Sequence, residues 1–230
     1  MEAQRVWLIA GLALALGACE HKNGKNNNGG GGNGTPEPVT KEEVRPPVAE
    51  DLAEYTKDLA GTGQKLMARI ETPLGTLNCE LYPDKAPATV ANFVGLATGK
   101  KPWKDPKSGQ VQKGKPFFDG LQFHRVIAGF MIQGGDPTAS GSSGPGYKFA
   151  DELSPDLDMG PGTLAMANAG PRTNGSQFFV MEGTRPDLAK KHSIFGMCKE
   201  VEVISKITTT PASSDRPNEP VTMKVTITKG

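Results

Sequence analysis

Histidine, cysteine and aromatic residues are all scarce in this chain of 230 residues. It contains three histidines, three cysteines and 6% aromatic residues. Neither His124 nor His192 has an acidic residue or a cysteine at the spacing of a metal-ligand set, so the sequence does not support a zinc-type centre. We therefore expect no metal and no cofactor.

Clustered basic charge and a nucleophile motif are missing as well. The formal net charge is +1, and proline, aspartate or histidine soon interrupts the basic pairs Lys100-Lys101 and Lys190-Lys191, which we interpret as solvated loop faces. Ser176 lies in Asn-Gly-Ser-Gln-Phe, which is not the Gly-x-Ser-x-Gly sequence of a nucleophile elbow. We therefore expect neither nucleic-acid binding nor serine-based hydrolysis.

The N-terminal part has the pattern of a secretory leader rather than of a membrane span. Arg5 precedes an uncharged apolar run over residues 6–16, which matches a signal-peptide core and is too short for a bilayer of about 30 Å. The run ends in Leu-Gly-Ala-Cys, which resembles the bacterial lipobox. The sequence thus predicts a lipoprotein signal peptide over residues 1–18 and lipid attachment at Cys19. An ordinary signal peptide with an incidental cysteine is the alternative.

The following residues divide into a tether, a short helix and one folded domain. Residues 19–47 are rich in glycine, asparagine and proline, and the run HKNGKNNNGGGGNGTPEP holds no large apolar residue. Such a segment cannot bury enough surface to offset its ordering entropy, so we predict a disordered tether. Apolar residues at helical spacing predict a short lead-in helix within residues 48–64. The domain proper spans residues 65–230.

Within this domain, apolar patterns of strands and helices alternate. Alternation on both sides of Pro73 predicts a first hairpin. A helix is expected from Pro87 to just before Gly99, and a second one ends before Pro211. Residues 100–116 have the composition of an inserted surface loop, for which Trp103 packing onto the domain is favoured over a partner contact. Residues 185–192 are interpreted as a loop, and alternation from Val221 to Thr228 predicts a last strand with one face inward. The pattern amounts to about eight strands and two long helices.

Two long motifs carry the chemical information. Residues 123–136, FHRVIAGFMIQGGD, place Arg125 inside an otherwise apolar, strand-like run, with Gln133 within its reach if the two runs are neighbouring strands. A structural arginine at the surface is the alternative interpretation of this stretch alone. Residues 160–180, GPGTLAMANAGPRTNGSQFFV, combine a short strand, a Gly/Asn/Pro-rich loop and a second strand. Together the two stretches resemble the signature segments of the cyclophilins, which are peptidyl-prolyl cis/trans isomerases.

The resemblance runs from about residue 65 to residue 230 and implies both a fold and an activity. The fold would be mainly β, a closed eight-stranded antiparallel barrel capped by two α-helices. The activity would be rotation about X–Pro bonds, with Arg125 as hydrogen-bond donor to the prolyl nitrogen and with Gln133 and His124 beside it. Five further positions that match the substrate site of the family would form an apolar cup for the proline ring: Phe130, Met131, Phe179, Leu188 and His192. The positions that would hold the substrate backbone are Gln133, Ala167, Asn168 and Gln177.

Two departures from the family pattern concern the drug site and a turn. Many cyclophilins carry a tryptophan directly before the leucine that matches Leu188, whereas this chain has Asp187, which weakens the expectation of cyclosporin binding. Ala128 stands where a proline is common. For Cys79 and Cys198 we favour two separate buried thiols over a disulfide, although the predicted compartment permits disulfides.

The expected protein is thus a monomeric, lipid-anchored isomerase of the bacterial cell envelope. Its expected partners are proline-containing segments of folding proteins and, through Cys19, a membrane. Three alternatives from other functional classes remain. They are a module that binds proline-containing segments without isomerising them, a general holdase, and a structural component of the envelope.

Overall fold

The computed structural model describes residues 44–230. The predicted signal peptide, Cys19 and the predicted tether up to residue 43 lie outside this range. One eight-stranded antiparallel sheet dominates the described part, and its strands follow the order β12-β1-β2-β9-β7-β8-β6-β5. These strands are β1 (Leu66–Thr72), β2 (Gly75–Leu81), β5 (Arg125–Ile127), β6 (Met131–Gly134), β7 (Thr163–Met166), β8 (Phe178–Met181), β9 (Ile194–Cys198) and β12 (Lys224–Lys229).

The two edges of the sheet meet through a short contact. Ahead of β5, the amide of Phe123 donates to the carbonyl of Val221 at 2.9 Å, and the amide of Met223 donates to the carbonyl of Leu121 at 2.7 Å. An isolated bridge between Gln122 and Thr222 lies between these bonds. The predicted mainly β barrel is therefore confirmed, although its closure is approximate because no continuous ladder joins β5 to β12.

The two predicted long helices are confirmed, and two short ones accompany them. The long ones are α2 (Pro87–Ala97) and α4 (Val201–Thr208); the short ones are α1 (Asp51–Thr56) and α3 (Pro186–Ala189). No side chain within α2 caps its start; the Glu152 carboxylate instead accepts the amides of Ala88 at 3.0 Å and Thr89 at 2.7 Å. A carboxylate stabilises this end of a helix because it satisfies free amides and opposes the positive end of the dipole.

The core lies between α2 and the inner face of the sheet. The fully buried ring of Phe93 projects from α2, and its centroid lies 5.0 Å from Phe118, 5.5 Å from Phe178 and 5.2 Å from Phe195. On the other long helix, Val203, Ile204 and Ile207 form the buried face. Burial of these apolar faces is the main stabilising term for both helices.

Three local expectations need correction. The segment 100–116 is not a plain loop, because β3 (Trp103–Lys104) and β4 (Val111–Gln112) pair in it as a hairpin. Its anchor is as predicted: Trp103 is buried, and its Nε1 donates to the carbonyl of Lys115 at 3.0 Å. The expected loop after Arg185 contains α3. The last strand begins at Lys224 rather than at Val221, and a small hairpin of β10 (Ala212–Ser213) and β11 (Arg216–Pro217) precedes it.

The preference for two free thiols is wrong, because Cys79 and Cys198 form a disulfide. The two residues are direct cross-strand partners on β2 and β9. Their side chains therefore point to the same face of the sheet and meet, although 119 residues separate them in the sequence. The sequence does not reveal which strands are neighbours, so it could not reveal this pairing.

Residues ahead of the barrel also pack onto it. Tyr55 of α1 is buried against α2, where Gly95 leaves room: a Cβ at Gly95 would lie 2.6 Å from the Tyr55 ring. Arg45, which the tether prediction included, pairs with Asp51, and the Nζ of Lys101 donates to the carbonyl of Arg45 at 2.8 Å. Among residues 44–230, no helix combines the length and the apolar character that a membrane crossing requires.

Candidate active site

Three predicted site residues lie in one row across neighbouring strands. Arg125 on β5 is the cross-strand partner of Gln133 on β6, which is in turn the partner of Phe179 on β8. Cross-strand partners share a face of the sheet. Within β5, Val126 is buried and Arg125 is exposed, so this row lies on the face opposite to the main core. The two runs are therefore neighbouring strands, and Gln133 lies directly beside Arg125.

Arg125 has one acidic neighbour that comes from a distant part of the chain. Asp215 lies in the turn between β10 and β11, and its Oδ2 is 3.7 Å from the Nε of Arg125. The amide of Val126 donates to the carbonyl of Asp215 at 2.7 Å, which fixes the turn to β5. The side chain of Arg125 is 45% exposed, so it is held at one nitrogen and accessible to a ligand.

A second apolar cluster, separate from the main core, lies on the same face. Its buried members include Met131, which is 2% exposed, and Phe179, which is 5% exposed, while Phe130 and Leu188 cover it only in part. The strands β6 and β8 therefore carry buried apolar side chains on both faces, with Gln133 as a polar member of the outer face. Four of the five residues predicted to form a proline cup belong to this cluster.

His192, the fifth predicted member of the cup, borders the cluster. Its ring lies 5.3 Å from that of Phe179 in an edge-to-face arrangement. Its Nδ1 is 2.9 Å from the carbonyl oxygen of Met166, and since a carbonyl can only accept, Nδ1 carries the proton. Burial lowers the pKa of His192. Burial therefore favours the neutral form of this ring.

The predicted backbone-binding residues lie beside the cup and are connected by hydrogen bonds. Gln133 Nε2 donates to Gln177 Oε1 at 3.0 Å, and Gln177 Nε2 donates to the carbonyl of Ser143 at 2.9 Å. Asn168 Nδ2 donates to the carbonyl of Lys191 at 2.9 Å. All three predicted residues, together with Ala167, line a groove of about 730 Å³. The remaining lining residues are Lys104, Pro106, Gly141, Ser142, Ser143, Gly144, Pro145, Gly146, Tyr147, Lys148, Ala169, Thr173, Gly175 and Ser176.

His124, which directly precedes Arg125, lies outside both the groove and the apolar cluster, as Arg125 itself does. It is 5% exposed, and neither ring nitrogen has a hydrogen-bond partner. Burial lowers the pKa of His124, although the nearby carboxylate of Asp136 opposes this effect. A Cβ at Gly141 would lie 3.8 Å from its Nε2, so the histidine lies behind the loop that borders the groove.

Sequence reasoning missed two acidic residues that shape the site. Asp136 is buried and accepts the amides of Thr138 at 2.7 Å, Gly141 at 2.6 Å and Ser143 at 3.1 Å, so it organises the groove wall. The sequence Asp-Pro-Thr is a turn signal that could have indicated this role. Asp215 gave no such signal, because it comes close to Arg125 only through the pairing of distant segments.

No group of three or more histidine, cysteine, aspartate or glutamate residues in the described part of the chain could hold a metal ion. The site comprises a half-exposed guanidinium, a partly covered apolar cluster and a groove with amide side chains. Such an arrangement can bind a peptide non-covalently and stabilise charge at one point of it.

Comparison with known proteins agrees with this chemistry. Residues 67–228 match the family model described as cyclophilin type peptidyl-prolyl cis-trans isomerase/CLD. The peptidyl-prolyl cis-trans isomerase A of Mycobacterium tuberculosis is 51% identical over 164 residues, which cover 68% of this chain and 88% of the relative. Peptidyl-prolyl cis-trans isomerase B of Streptomyces anulatus is 48% identical over 168 residues, covering 70% of this chain and 95% of the relative.

A solved structure is also similar. The crystal structure of a cyclophilin type peptidyl-prolyl cis-trans isomerase from Cryptosporidium parvum matches with a TM-score of 0.61 and 32% identity, covering 72% of this chain and 99% of that one. The same protein has also been solved in the presence of the dipeptide Ala-Pro. On the family match and the identity to these relatives, the chain belongs to the cyclophilin family and is a peptidyl-prolyl cis-trans isomerase.

Proposed function

We propose that the protein catalyses cis/trans isomerisation of X–Pro peptide bonds without a covalent intermediate. Arg125 is the group that stabilises the twisted amide. Rotation about an X–Pro bond has a barrier of about 18 to 20 kcal/mol because amide resonance must be broken. In the twisted state the prolyl nitrogen becomes pyramidal and gains a lone pair. A guanidinium beside it can then donate a hydrogen bond that the planar ground state cannot accept, so the bond lowers the barrier.

One observation carries this proposal: Arg125 on β5 and Phe179 on β8 lie on the same face of the sheet, with only β6 between them. Arg125 pairs with Gln133, and Gln133 pairs with Phe179. Neighbouring strands are about 4.8 Å apart, so a proline ring against Phe179 lies within the reach of the long arginine side chain. A cup with a cation at its edge suits a proline whose nitrogen is the reacting atom.

The neighbours of Arg125 support its orientation. Asp215 lies 3.7 Å from Nε, which leaves the two terminal nitrogens of the guanidinium for the substrate. Gln133 is tied to Gln177, and Gln177 to the Ser143 carbonyl, so the side chains that would hold the peptide backbone are fixed before it binds. Fixed donors are more effective than mobile ones because they need little reorganisation during the reaction.

The decisive experiment replaces Arg125 in a protease-coupled assay with an Ala-Pro peptide. Arg125→Ala should lower kcat and kcat/KM together by roughly 10² to 10³-fold, the range for losing one preorganised donor to developing charge. Arg125→Lys should recover little, because an ammonium lacks the planar fork. Asp215→Asn should cause a smaller loss, since it loosens the arginine without removing it.

Circular dichroism must show that each variant is folded. An Arg125→Ala protein that isomerises the peptide within a few-fold of the wild-type rate would contradict the mechanism. The non-catalytic alternative, a module that only holds proline segments, predicts that the wild-type protein binds the peptide and does not accelerate its isomerisation.

We further propose that the enzyme acts on proteins that fold in the bacterial cell envelope and that Cys19 anchors it there by a lipid. The support is the lipobox-like sequence that ends at Cys19 and the Gly/Asn-rich composition that follows it. A disulfide between Cys79 and Cys198 fits this setting, because disulfides persist in oxidising compartments. A holdase role would instead show as suppressed aggregation of clients that survives in Arg125→Ala.

A further inference from the structure

The hairpin of β3 and β4 has no role in the reaction just described, yet it forms part of the groove. The amide of Lys104 donates to the carbonyl of Pro145 at 2.9 Å, so β3 is attached to the loop that borders the groove. Gly146 permits this close contact, because a Cβ there would lie 2.7 Å from the Cβ of Lys104. The inserted segment 100–116 is therefore a wall of the groove.

The charged residues that line the groove all carry positive charge. Two of its lining residues are charged, Lys104 and Lys148, and both are exposed cations. Within residues 44–230 neither lysine takes part in an ion pair. A cation in a partly enclosed groove attracts an anion more strongly than one on a flat surface, because less water screens it.

Two carboxylates that lie close to these lysines in the sequence, those of Asp105 and Asp151, accept hydrogen bonds from other groups. Asp105, next to Lys104 in the sequence, accepts the amide of Lys107 at 2.8 Å within its own turn. Asp151 accepts the amide of Arg172 at 2.7 Å and Asn174 Nδ2 at 2.9 Å. The two lysines are thus exposed cations that line the groove and take part in no ion pair within residues 44–230.

We propose that the groove gives the enzyme a preference for proline segments that carry an acidic residue near the proline. Gln133, Asn168 and Gln177 lie in the same groove as the two lysines, so a chain that follows them from the cup reaches Lys104 and Lys148. A carboxylate in that part of the substrate gains two cationic neighbours. A lysine at the same place meets repulsion.

The preference rests on the proposed passage of the substrate backbone along this groove, and its size follows from the exposure of the lysines. Exposed ion pairs are individually weak, so we expect kcat/KM for the acidic peptide to exceed that for the lysine peptide by about 3- to 10-fold at low salt. The ratio should fall towards one at high salt, because the Debye length shrinks from about 10 Å at 0.1 M to about 3 Å at 1 M.

The test is a peptide series around one Ala-Pro core. Glutamate, alanine or lysine is placed in turn at each of about four positions on both sides of the proline, and kcat/KM is measured at low and high salt. The expected result is a Glu-over-Lys preference at one or two positions of one flank. The double variant Lys104→Glu/Lys148→Glu should invert that preference, and Lys104→Ala/Lys148→Ala should abolish it. The alanine variant keeps the test valid if charge reversal disturbs folding.

The matched control is Lys206→Glu, which changes an exposed lysine of α4 that does not line the groove. It alters the net charge by the same amount per residue and should leave the ratio as in the wild type. Equal kcat/KM for the glutamate and lysine peptides at every position, or a preference that survives the double reversal, would overturn the inference. A wild-type protein that accelerates none of the peptides would instead overturn the proposed function, so the two failures are distinguishable.

Discussion

At the scale of single residues, the site depends on side chains that occupy unusual surroundings for their type. Phe179 is an apolar residue on the outer face of a sheet, and Arg125 is a cation among strand residues that are otherwise apolar. Phe179 is only 5% exposed because its cluster covers it, whereas the side chain of Arg125 is 45% exposed. In the proposed mechanism the first contacts the proline ring and the second its nitrogen.

The cup should act on binding rather than on the chemical step. Phe179→Ala removes contacts that ground and transition states share, so we expect KM to rise about 10-fold with a much smaller change in kcat. Phe118→Ala is the control, since it also removes a buried phenylalanine but from the main core. It should lower stability and leave the KM of the folded enzyme unchanged. Steady-state kinetics that show a fall in kcat alone for Phe179→Ala would contradict a binding role for this ring.

Burial of Lys101 should make the stability of the protein depend on pH. Lys101 is 1% exposed, its Nζ donates to the carbonyl of Arg45 at 2.8 Å, and it lies 4.7 Å from the centre of the Tyr147 ring. Burial lowers the pKa of Lys101 from 10.5 to about 8, against the opposing charge of Asp51. Between these two values the unfolded chain binds a proton that the folded protein has lost, so this group makes stability rise with pH.

Comparison with Lys101→Met isolates this effect from other titrations. Between about pH 8 and pH 10 the free energy of unfolding of the wild type should rise relative to that of the variant by roughly 1 to 2 kcal/mol. Below pH 8 the difference should be constant, because both states then hold the proton. Urea denaturation at several pH values measures it, with Lys206→Met as an exposed control. A difference that does not change between pH 8 and 10 would show that Lys101 keeps its ordinary pKa.

At the scale of elements, the strands carry two apolar faces, and the disulfide joins two of them. β2 and β9 are neighbours in the sheet, and the bond between Cys79 and Cys198 closes a loop of 119 residues. A cross-link over so long a loop restricts the unfolded chain strongly. The disulfide therefore adds stability to a domain that already has a continuous hydrophobic core.

Removal of this bond should lower stability without removing the fold. The double variant Cys79→Ala/Cys198→Ala should lose about 2 to 4 kcal/mol of unfolding free energy, and reduction of the wild type should have a similar effect. Activity at 25 °C should persist, because neither cysteine lines the groove or the cup. Intact mass under non-reducing conditions, lower by two protons than after reduction, identifies the bond directly. Equal unfolding curves with and without reductant would contradict a stabilising role.

At the scale of the whole molecule, the folded part begins before the barrel does. Arg45, Asp51 and Tyr55 attach the lead-in segment to α2 and to Lys101. Within residues 44–230, the chain therefore contacts the domain from Arg45 onwards. This contact lies between the proposed anchor and the catalytic site in the sequence.

Replacement of Cys19 tests the proposed anchor. Cys19→Ser should move the protein from the membrane fraction to the soluble fraction and leave kcat/KM on a short peptide unchanged, because the residue lies far from the barrel in sequence. Fractionation followed by the peptide assay measures both properties. Ser108→Ala, at an exposed position outside the groove, serves as a control for fractionation. Retention of Cys19→Ser in washed membranes would contradict lipid anchoring at this residue.

Much of the architecture could be read from local patterns. Period-two alternation indicated β1, β2 and the end of β12, and the period of 3.6 indicated α2 and α4, because each pattern records which side of an element faces the core. The two motifs also named the residues that the structure gathers in the cup and the groove. Short elements such as α3 and the hairpin of β3 and β4 contain too few residues to show a helical or strand periodicity, so the sequence did not predict them.

The sequence by itself determined the family, the main helices and strands, and the chemical types available for the reaction, because these properties depend on residue identity and short-range spacing. The tertiary structure alone decided which strands are neighbours. That order brings Cys79 to Cys198 and Asp215 to Arg125. Contacts between residues far apart in the sequence arise from the packing of the whole sheet, and no local pattern encodes them.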